Sequence, residues 1–286
     1  MPADQTNPAT HPSDKGEGPL LVRLDATLGV ATITLNRPTR LNALSADLLS
    51  LLADAVEAIA VDDSVKALII TGAGDSFCSG ADTSELAGGD GQGPHKPGSG
   101  GTEALRRGFR DAQRVILGLQ RMEKPTIAAV NGVAAGAGLD LACACDIRIA
   151  SVTARFSAAY VKVGLFPGYG GTWLYPRLVG LGRAAEMIFT GEFVDAAEAL
   201  RVGLVNRVVP AERLADDAAD LARRIAAGPP IAMRLAKMML YRGLEMDLET
   251  AMQAAAAAES ITLSSADHSE GMAAMREKRK PKFTGR

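Results

Sequence analysis

Two glycine-rich segments hold the residues of this 286-residue chain that are best suited to chemistry. Residues 77–82 read Phe-Cys-Ser-Gly-Ala-Asp, and residues 131–138 read Asn-Gly-Val-Ala-Ala-Gly-Ala-Gly. We expect each segment between a strand and a short helix, where small residues let a ligand approach the backbone and the first N–H groups of the helix point outward. Two such turns facing each other would offer two donors to a developing oxyanion. Taken singly, such a segment is more often only a tight turn.

Several familiar kinds of active site are excluded by the residues that the sequence lacks or misplaces. Its three histidines are His11 in an N-terminal tail, His95 in a glycine-rich loop and His268 between predicted helices, so none is held as a Ser-His-Asp or Cys-His site requires. No group of His, Cys and carboxylate residues has the spacing of a metal site. Residues 72–77 and 136–141 begin like a dinucleotide-binding fingerprint but lack its third glycine, and no Gly-Lys-Ser/Thr phosphate loop occurs. Nicotinamide and nucleoside-triphosphate chemistry is therefore disfavoured.

The composition is typical of an intracellular globular protein. With 31 Lys and Arg residues against 33 Asp and Glu, the formal net charge is −2, which gives no electrostatic reason to expect nucleic acid as a partner. The most apolar stretch, residues 126–145, is interrupted by polar residues, so no membrane span is expected. Cys78, Cys143 and Cys145 form no even disulfide framework and indicate reduced, partly buried thiols. We expect a cytoplasmic protein without a signal peptide.

The elements that must position the two turns belong to an α/β core with a helical C-terminal region. Apolar runs of strand length predict strands at residues 20–24, 30–35, 66–71, 126–130 and 146–150. An apolar stripe after Ser45 predicts a helix capped by that residue, and a mostly helical region begins at Arg183. Residues 88–102 are rich in glycine and predict a mobile loop. The expected divisions are a disordered tail at 1–18, the α/β core at 19–205 and a helical oligomerisation region at 206–286.

Five segments, in order along the chain, resemble the motifs of the crotonase superfamily, also called the enoyl-CoA hydratase/isomerase family. They are residues 33–44, 77–82, 131–138 with 145–147, 164–171 and 270–283. The resemblance covers residues 19–286 and implies a crotonase-like spiral of ββα units, with C-terminal helices that build trimers, often paired into hexamers. It also implies an acyl-CoA or enoyl-CoA thioester as the ligand. Coenzyme A is then part of the substrate, and no separate cofactor is expected.

The resemblance assigns an oxyanion hole to the two glycine-rich turns. In the family, two backbone N–H groups stabilise the enolate of the thioester, and the matching residues are Ala81 and Ala137. Removing one such donor typically costs about 3 kcal/mol of the barrier. Alanine in place of glycine at residue 137 is no loss for a backbone donor, provided that the turn needs no positive φ there.

The resemblance also assigns the acid/base positions, and here the sequence departs from the hydratase pattern. Where hydratases place two glutamates, this sequence has Asp140 and Tyr160, and a third position that is acidic in some relatives is Gly168. A single carboxylate can move a proton from one carbon to another but serves poorly in a hydration that needs two. A helix-capping role for Asp140 and a core-packing role for Tyr160 are alternatives. Asp82 and Asp146 match positions expected to be structural.

Contacts with coenzyme A are implied at both ends of the chain. The segment that contains Arg40, Leu41 and Ala43 matches residues that lie along the pantetheine and nucleotide in relatives, and Ser79 of the first turn joins this group. Lys278 matches a basic residue that can reach the ADP phosphates, sometimes those bound to a neighbouring subunit. A solvated basic terminus is the alternative for Lys278.

The sequence therefore predicts an enzyme of the enoyl-CoA hydratase/isomerase family that acts on an acyl-CoA through an enolate, with Asp140 as its acid/base. Its activity is expected to be isomerase-like or weakly hydrating. The alternative is an acyl-CoA-binding or regulatory protein that kept the fold and lost the chemistry. A purely structural oligomer is disfavoured by the intact glycine-rich turns. The expected partners are the thioester and further copies of the chain, as a homotrimer or a hexamer.

Overall fold

The computed structural model of the chain describes residues 18–86 and 109–286, and the core of this part is built on two β-sheets. The strands within these ranges, β1 to β10, are Leu20–Asp25, Val30–Leu35, Ala67–Gly72, Ser76–Cys78, Thr126–Val130, Val133–Ala135, Ile147–Ser151, Arg155–Ser157, Val194–Asp195 and Arg207–Val209. Of these described strands, six form a sheet in the order β1-β2-β3-β5-β7-β10, and four form a second in the order β4-β6-β8-β9. The expected α/β class is confirmed.

From β3 to β8, consecutive strands divide between the two sheets, and a helix follows each pair. The helices of the described residues, α1 to α11, are Ala46–Val61, Thr83–Leu86, Arg110–Arg121, Ala137–Ala144, Gly171–Val179, Leu181–Thr190, Ala196–Arg201, Leu214–Ala226, Pro230–Arg242, Leu248–Leu263 and Ala266–Glu277. In the pairs β3–β4, β5–β6 and β7–β8, the first strand joins the larger sheet and the second joins the smaller one. The next helices are α2, α4 and α5 respectively, so the described chain repeats a ββα unit.

The expected strands and the helix cap agree closely with the structure. Residues 30–35 and 126–130 are strands with the expected bounds, and the strands expected from residues 66 and 146 begin one residue later. The hydroxyl of Ser45 accepts a hydrogen bond from the N–H of Leu48 at 3.3 Å, which caps the first turn of α1 as expected.

The central strands of the larger sheet are buried on both faces, and β3 shows how their residues divide. Leu68 and Ile70 belong to the larger core together with Leu52 of α1, whereas Ala67 and Ile69 belong to a second core under α8. This division follows from the period of two along a strand, which sends alternate side chains to opposite faces. β10 and α8 therefore belong to the α/β layers, which extend through residue 226. The boundary at residue 205 and the oligomerising role of the C-terminal helices stay predictions.

Some expectations fall outside the described residues, and one is wrong. The expected tail, apart from Gly18, and the loop at 88–102 lie outside them, as do His11 and His95. His268, expected between helices, lies within α11. Among the helices of residues 18–86 and 109–286, none has the length and apolar character that a membrane span needs.

Candidate active site

The two glycine-rich turns touch each other, because glycine lets their backbones come close. Gly80 has a φ of +107°, in the region that favours glycine. A Cβ at this residue would lie 2.9 Å from the carbonyl oxygen of Ala135 and 3.6 Å from the nitrogen of Ala137. A Cβ on Gly138 would overlap the carbonyl oxygen of Cys78, so α4 can begin against β4 only with glycine at residue 138.

The N–H of Ala81 points out of the first turn. Ala81 forms an isolated parallel bridge with Leu44, in which Leu44 donates to the carbonyl of Gly80 at 2.8 Å and accepts from the N–H of Asp82 at 3.0 Å. These two hydrogen bonds use the groups on either side of Ala81. Because backbone groups alternate in direction along an extended segment, the N–H of Ala81 faces away from Leu44.

The N–H of Ala137 is the first of helix α4. Intrahelical hydrogen bonds leave the N–H groups of the first turn without acceptors, and the positive end of the helix dipole lies at the same place. Gly136 precedes this residue with a φ of +50°, while Ala137 itself needs no positive φ. Ala81 and Ala137 therefore lie on touching turns, as an oxyanion hole requires. The assignment of that role stays a prediction.

Asp140 lies one helical turn after Ala137 and is buried, with 0% of its surface exposed. The hydroxyl of Tyr160 donates to its Oδ2 at 2.6 Å, and the hydroxyl of Tyr175 donates to its Oδ1. The backbone N–H of Gly171 is a third donor. All three donors lie outside α4, so the alternative that Asp140 merely caps its own helix is wrong.

Burial and hydrogen bonding act on the pKa of Asp140 in opposite directions. Desolvation raises the pKa to about 6, although the hydroxyl groups of Tyr160 and Tyr175 and the N–H of Gly171 partly oppose this rise. Burial and the neighbouring Asp140 raise the pKa of both phenols above their usual range, so at neutral pH they stay protonated and donate. A carboxylate with a pKa of about 6 is ionised at neutral pH and still basic enough to take a proton.

Asp82 and Asp146 have structural partners, as expected. Asp82 accepts from the N–H of Ser84 at 3.1 Å at the start of α2. Asp146 accepts from the N–H of Thr126 at 2.7 Å and forms an ion pair with the buried Lys237 at 2.8 Å. These contacts engage both carboxylates away from the Asp140 cluster.

The residues predicted to contact coenzyme A lie at two places. The N–H of Ser79 donates to the carbonyl of Leu41 at 3.0 Å, which joins the segment of Arg40, Leu41 and Ala43 to the first glycine-rich turn. Leu41 has a φ of +49° and is 53% exposed, Arg40 is exposed, and Ala43 is buried. Lys278 is exposed at the end of α11, and no described contact joins it to this group.

Tyr175 and Gly171 are residues of the site that sequence reasoning missed. Both lie in or beside the segment 164–171 that carried the resemblance, but the resemblance gave neither of them a role. The sequence did carry a signal for phenol donors to Asp140. An aspartate in an apolar helix needs hydrogen-bond donors from other segments, and the chain has only four tyrosines that could provide phenols. A Cβ on Gly171 would lie 2.6 Å from Oδ1 of Asp140, so glycine is required there.

Thiol and metal chemistry have no support in the described part of the chain. Cys78, Cys143 and Cys145 are free and buried, and burial raises the pKa of each thiol to about 12. Such thiols are poor nucleophiles because the thiolate is scarce. Within residues 18–86 and 109–286, no three His, Cys, Asp or Glu residues are grouped as a metal site needs.

Comparison with known proteins identifies relatives over nearly the whole chain. Residues 25–286 match the family described as enoyl-CoA hydratase/isomerase. A short-chain-enoyl-CoA hydratase of Clostridium acetobutylicum is 42% identical over 252 residues, which cover 88% of this chain and 92% of that protein. A 1,2-epoxyphenylacetyl-CoA isomerase of Escherichia coli is 38% identical over 258 residues, 90% of this chain and 96% of that protein.

Solved structures give the same result for the fold. The crystal structure of an enoyl-CoA hydratase from Bacillus anthracis superposes with a TM-score of 0.87 at 36% identity, covering 94% of this chain and 100% of that one. An enoyl-CoA hydratase from Mycobacterium smegmatis gives a TM-score of 0.84 at 36% identity, covering 93% and 99%. These likenesses confirm the fold that the sequence resemblance implied.

Proposed function

Since this chain belongs to the enoyl-CoA hydratase/isomerase family, we propose that it is an enzyme that acts on an acyl-CoA or enoyl-CoA thioester through an enolate. The N–H groups of Ala81 and Ala137 bind the thioester oxygen as it becomes an oxyanion. Both donors are backbone groups on packed turns, so they need no reorganisation during the reaction. Each contributes on the order of 3 kcal/mol to lowering the barrier.

Asp140 is the acid/base of the proposed reaction, and its environment carries the proposal. It is a buried carboxylate with a pKa of about 6, one helical turn from the oxyanion donor Ala137. The other two acid/base positions hold Tyr160 and Gly168. A single carboxylate suits a proton shift between two carbons better than a hydration that needs two carboxylates. We therefore propose isomerisation, or weak hydration, as the reaction.

The proposed coenzyme A site includes Arg40, Leu41, Ala43 and Ser79, which lie together beside the first turn. Lys278 is proposed to reach the ADP phosphates. Coenzyme A comes with the substrate, so no separate cofactor is needed.

We propose a homotrimer, or a hexamer of paired trimers, because apolar residues of the C-terminal helices face outward. Leu240, Leu244 and Leu248 are 72%, 64% and 76% exposed in the single chain. Burial against another copy would remove this apolar surface from water. A cytoplasmic location also stays a prediction.

The test is a spectroscopic assay with trans-2-enoyl-CoAs of several chain lengths. Loss of the conjugated enoyl-thioester absorbance on adding the protein, followed by product analysis, would support the proposal and separate a hydroxyacyl product from an isomerised one. No loss with any chain length would contradict the reaction proposed here.

A second candidate function is acyl-CoA binding without catalysis. The observation in its favour is that both oxygens of the buried Asp140 already accept hydrogen bonds. Isothermal titration with a saturated acyl-CoA distinguishes the two, because tight binding without turnover of any enoyl-CoA would favour this second function.

A further inference from the structure

Tyr160 lies between Asp140 and the turn that carries Ala137. Its hydroxyl is 2.6 Å from Oδ2 of Asp140. On its other side, a Cβ at Gly136 would lie 3.8 Å from Cζ of the Tyr160 ring, so the end of the ring that bears the hydroxyl packs against that turn. Tyr160 is 8% exposed, whereas Asp140 is 0% exposed. Of these two residues, only Tyr160 keeps any exposed surface.

The carboxylate of Asp140 is buried, and both of its oxygens accept hydrogen bonds. Oδ2 accepts the hydroxyl of Tyr160, while Oδ1 accepts the hydroxyl of Tyr175 and lies against Gly171. Each carboxylate oxygen keeps a second lone pair, but none of the Asp140 surface is exposed, so a substrate C–H bond cannot contact either oxygen in this arrangement. The proton that Tyr160 donates to Oδ2 is, however, already placed for transfer to that oxygen.

We propose that Asp140 exchanges protons with the substrate through the hydroxyl of Tyr160, which acts as a relay. This inference rests on the proposed enolate chemistry and names the group that touches the substrate. Tyr160 is then a catalytic residue, and Tyr175 is a positioning residue that holds the other oxygen of Asp140.

Atoms and charge are conserved in both the forward and the return step of the relay. In the forward step the substrate C–H bond breaks and its proton bonds to the phenol oxygen of Tyr160. The phenol's own proton passes to Oδ2 of Asp140, and the electron pair of the C–H bond becomes the enolate at the thioester. In the return step Asp140 gives its proton to the Tyr160 oxygen, and the phenol delivers a proton to a different carbon. No oxidant, reductant or metal is consumed.

The two transfers occur together rather than through a free phenolate. Burial and the neighbouring Asp140 raise the pKa of Tyr160 above its usual range, so a separate tyrosinate would be costly at neutral pH. In a concerted transfer the negative charge passes from Asp140 to the thioester oxygen, and the phenol stays neutral throughout.

The first test compares Tyr160→Phe with Tyr241→Phe. Tyr241 is a matched control, because its hydroxyl donates to Asp146, also at 2.6 Å, outside the site. We expect Tyr160→Phe to lower kcat by about 100-fold or more, the range of general acid–base catalysis, with acyl-CoA affinity retained. Tyr241→Phe should leave kcat within a few-fold. If Tyr160→Phe keeps more than a tenth of kcat, Asp140 acts without the relay and the inference is overturned.

A second measurement needs no variant and covers the case in which Tyr160→Phe fails to fold. In the wild-type protein, a solvent deuterium isotope effect on kcat/KM should persist when the transferred C–H of the substrate is itself deuterated, because both protons move in one step. Absence of a solvent effect with the deuterated substrate overturns the relay. If the wild-type protein turns over no enoyl-CoA, the proposed function itself fails, which is a different outcome from an active enzyme without a relay.

Discussion

The substitution Tyr175→Phe tests whether Asp140 sets the pH dependence of the reaction. Tyr175 is fully buried, and its hydroxyl donates to Oδ1 of Asp140. Phenylalanine keeps the ring and removes only this donor. The wild-type activity should fall on the acidic side with an apparent pKa of about 6, because Asp140 must be ionised to accept a proton. Tyr160, Tyr175 and Cys143 are the titratable groups that face this carboxyl.

The direction and size of the shift follow from the lost hydrogen bond. A donor to a charged group contributes about 1.5–3 kcal/mol and stabilises the ionised form. One pKa unit corresponds to about 1.4 kcal/mol, so the loss should raise the pKa of Asp140 by about one to two units. The acidic limb of the profile should therefore move from near pH 6 to between about 7 and 8.

The assay is the pH dependence of kcat/KM for an accepted enoyl-CoA, measured for wild type, Tyr175→Phe and the control Tyr241→Phe. The control should keep the limb near pH 6, because its phenol contacts Asp146 instead. A limb that stays in place or moves to lower pH in Tyr175→Phe would refute the assignment of Asp140 as the titrating base.

Three further substitutions test the electrostatics and packing of the site and of the separate, buried Lys237–Asp146 pair. Folding raises the pKa of Asp140 from 3.8 to about 6, so its ionisation costs stability, up to about 3 kcal/mol, as the pH rises through this range. Asp140→Asn should therefore raise the melting temperature above that of wild type at pH 8, and the difference should narrow at pH 4; a constant difference would contradict this. Gly138→Ala should destabilise the fold by about 1–3 kcal/mol in denaturant titration and lower activity, because the added Cβ overlaps the carbonyl of Cys78. Lys237→Met should cost about 3–5 kcal/mol in the same measurement, since it leaves Asp146 without its buried cation.

The sequence predicts the secondary structure near the site well because local signals determine it. Enrichment in β-branched residues defines the strand at residues 30–35, and Ser45 caps α1 through a bond to a residue three positions later. Both signals lie within a few residues of the element that they predict. The sequence predicts the two glycine-rich turns for the same reason, because the small residues of each turn are close together along the chain.

The partners of Asp140 could not be predicted in this way, because they come from distant segments. Tyr160 is 20 residues away and Tyr175 is 35 residues away along the chain. Nothing local to Asp140 specifies which phenol meets which oxygen. The same limit applies to Lys237 of α9, which pairs with Asp146 from 91 residues further along the chain. Composition and spacing identify the carboxylates, and only the fold selects their donors.

The most direct measurement of the central claim is the turnover of an accepted enoyl-CoA by Asp140→Asn, with acyl-CoA affinity measured by isothermal titration on the same preparation. Asparagine keeps the size of the side chain and removes the base. We predict a loss of kcat by a factor of about 10² to 10⁴ with affinity within a few-fold of wild type. A variant that binds normally and retains more than a tenth of the wild-type kcat would show that Asp140 is not the acid/base of this enzyme.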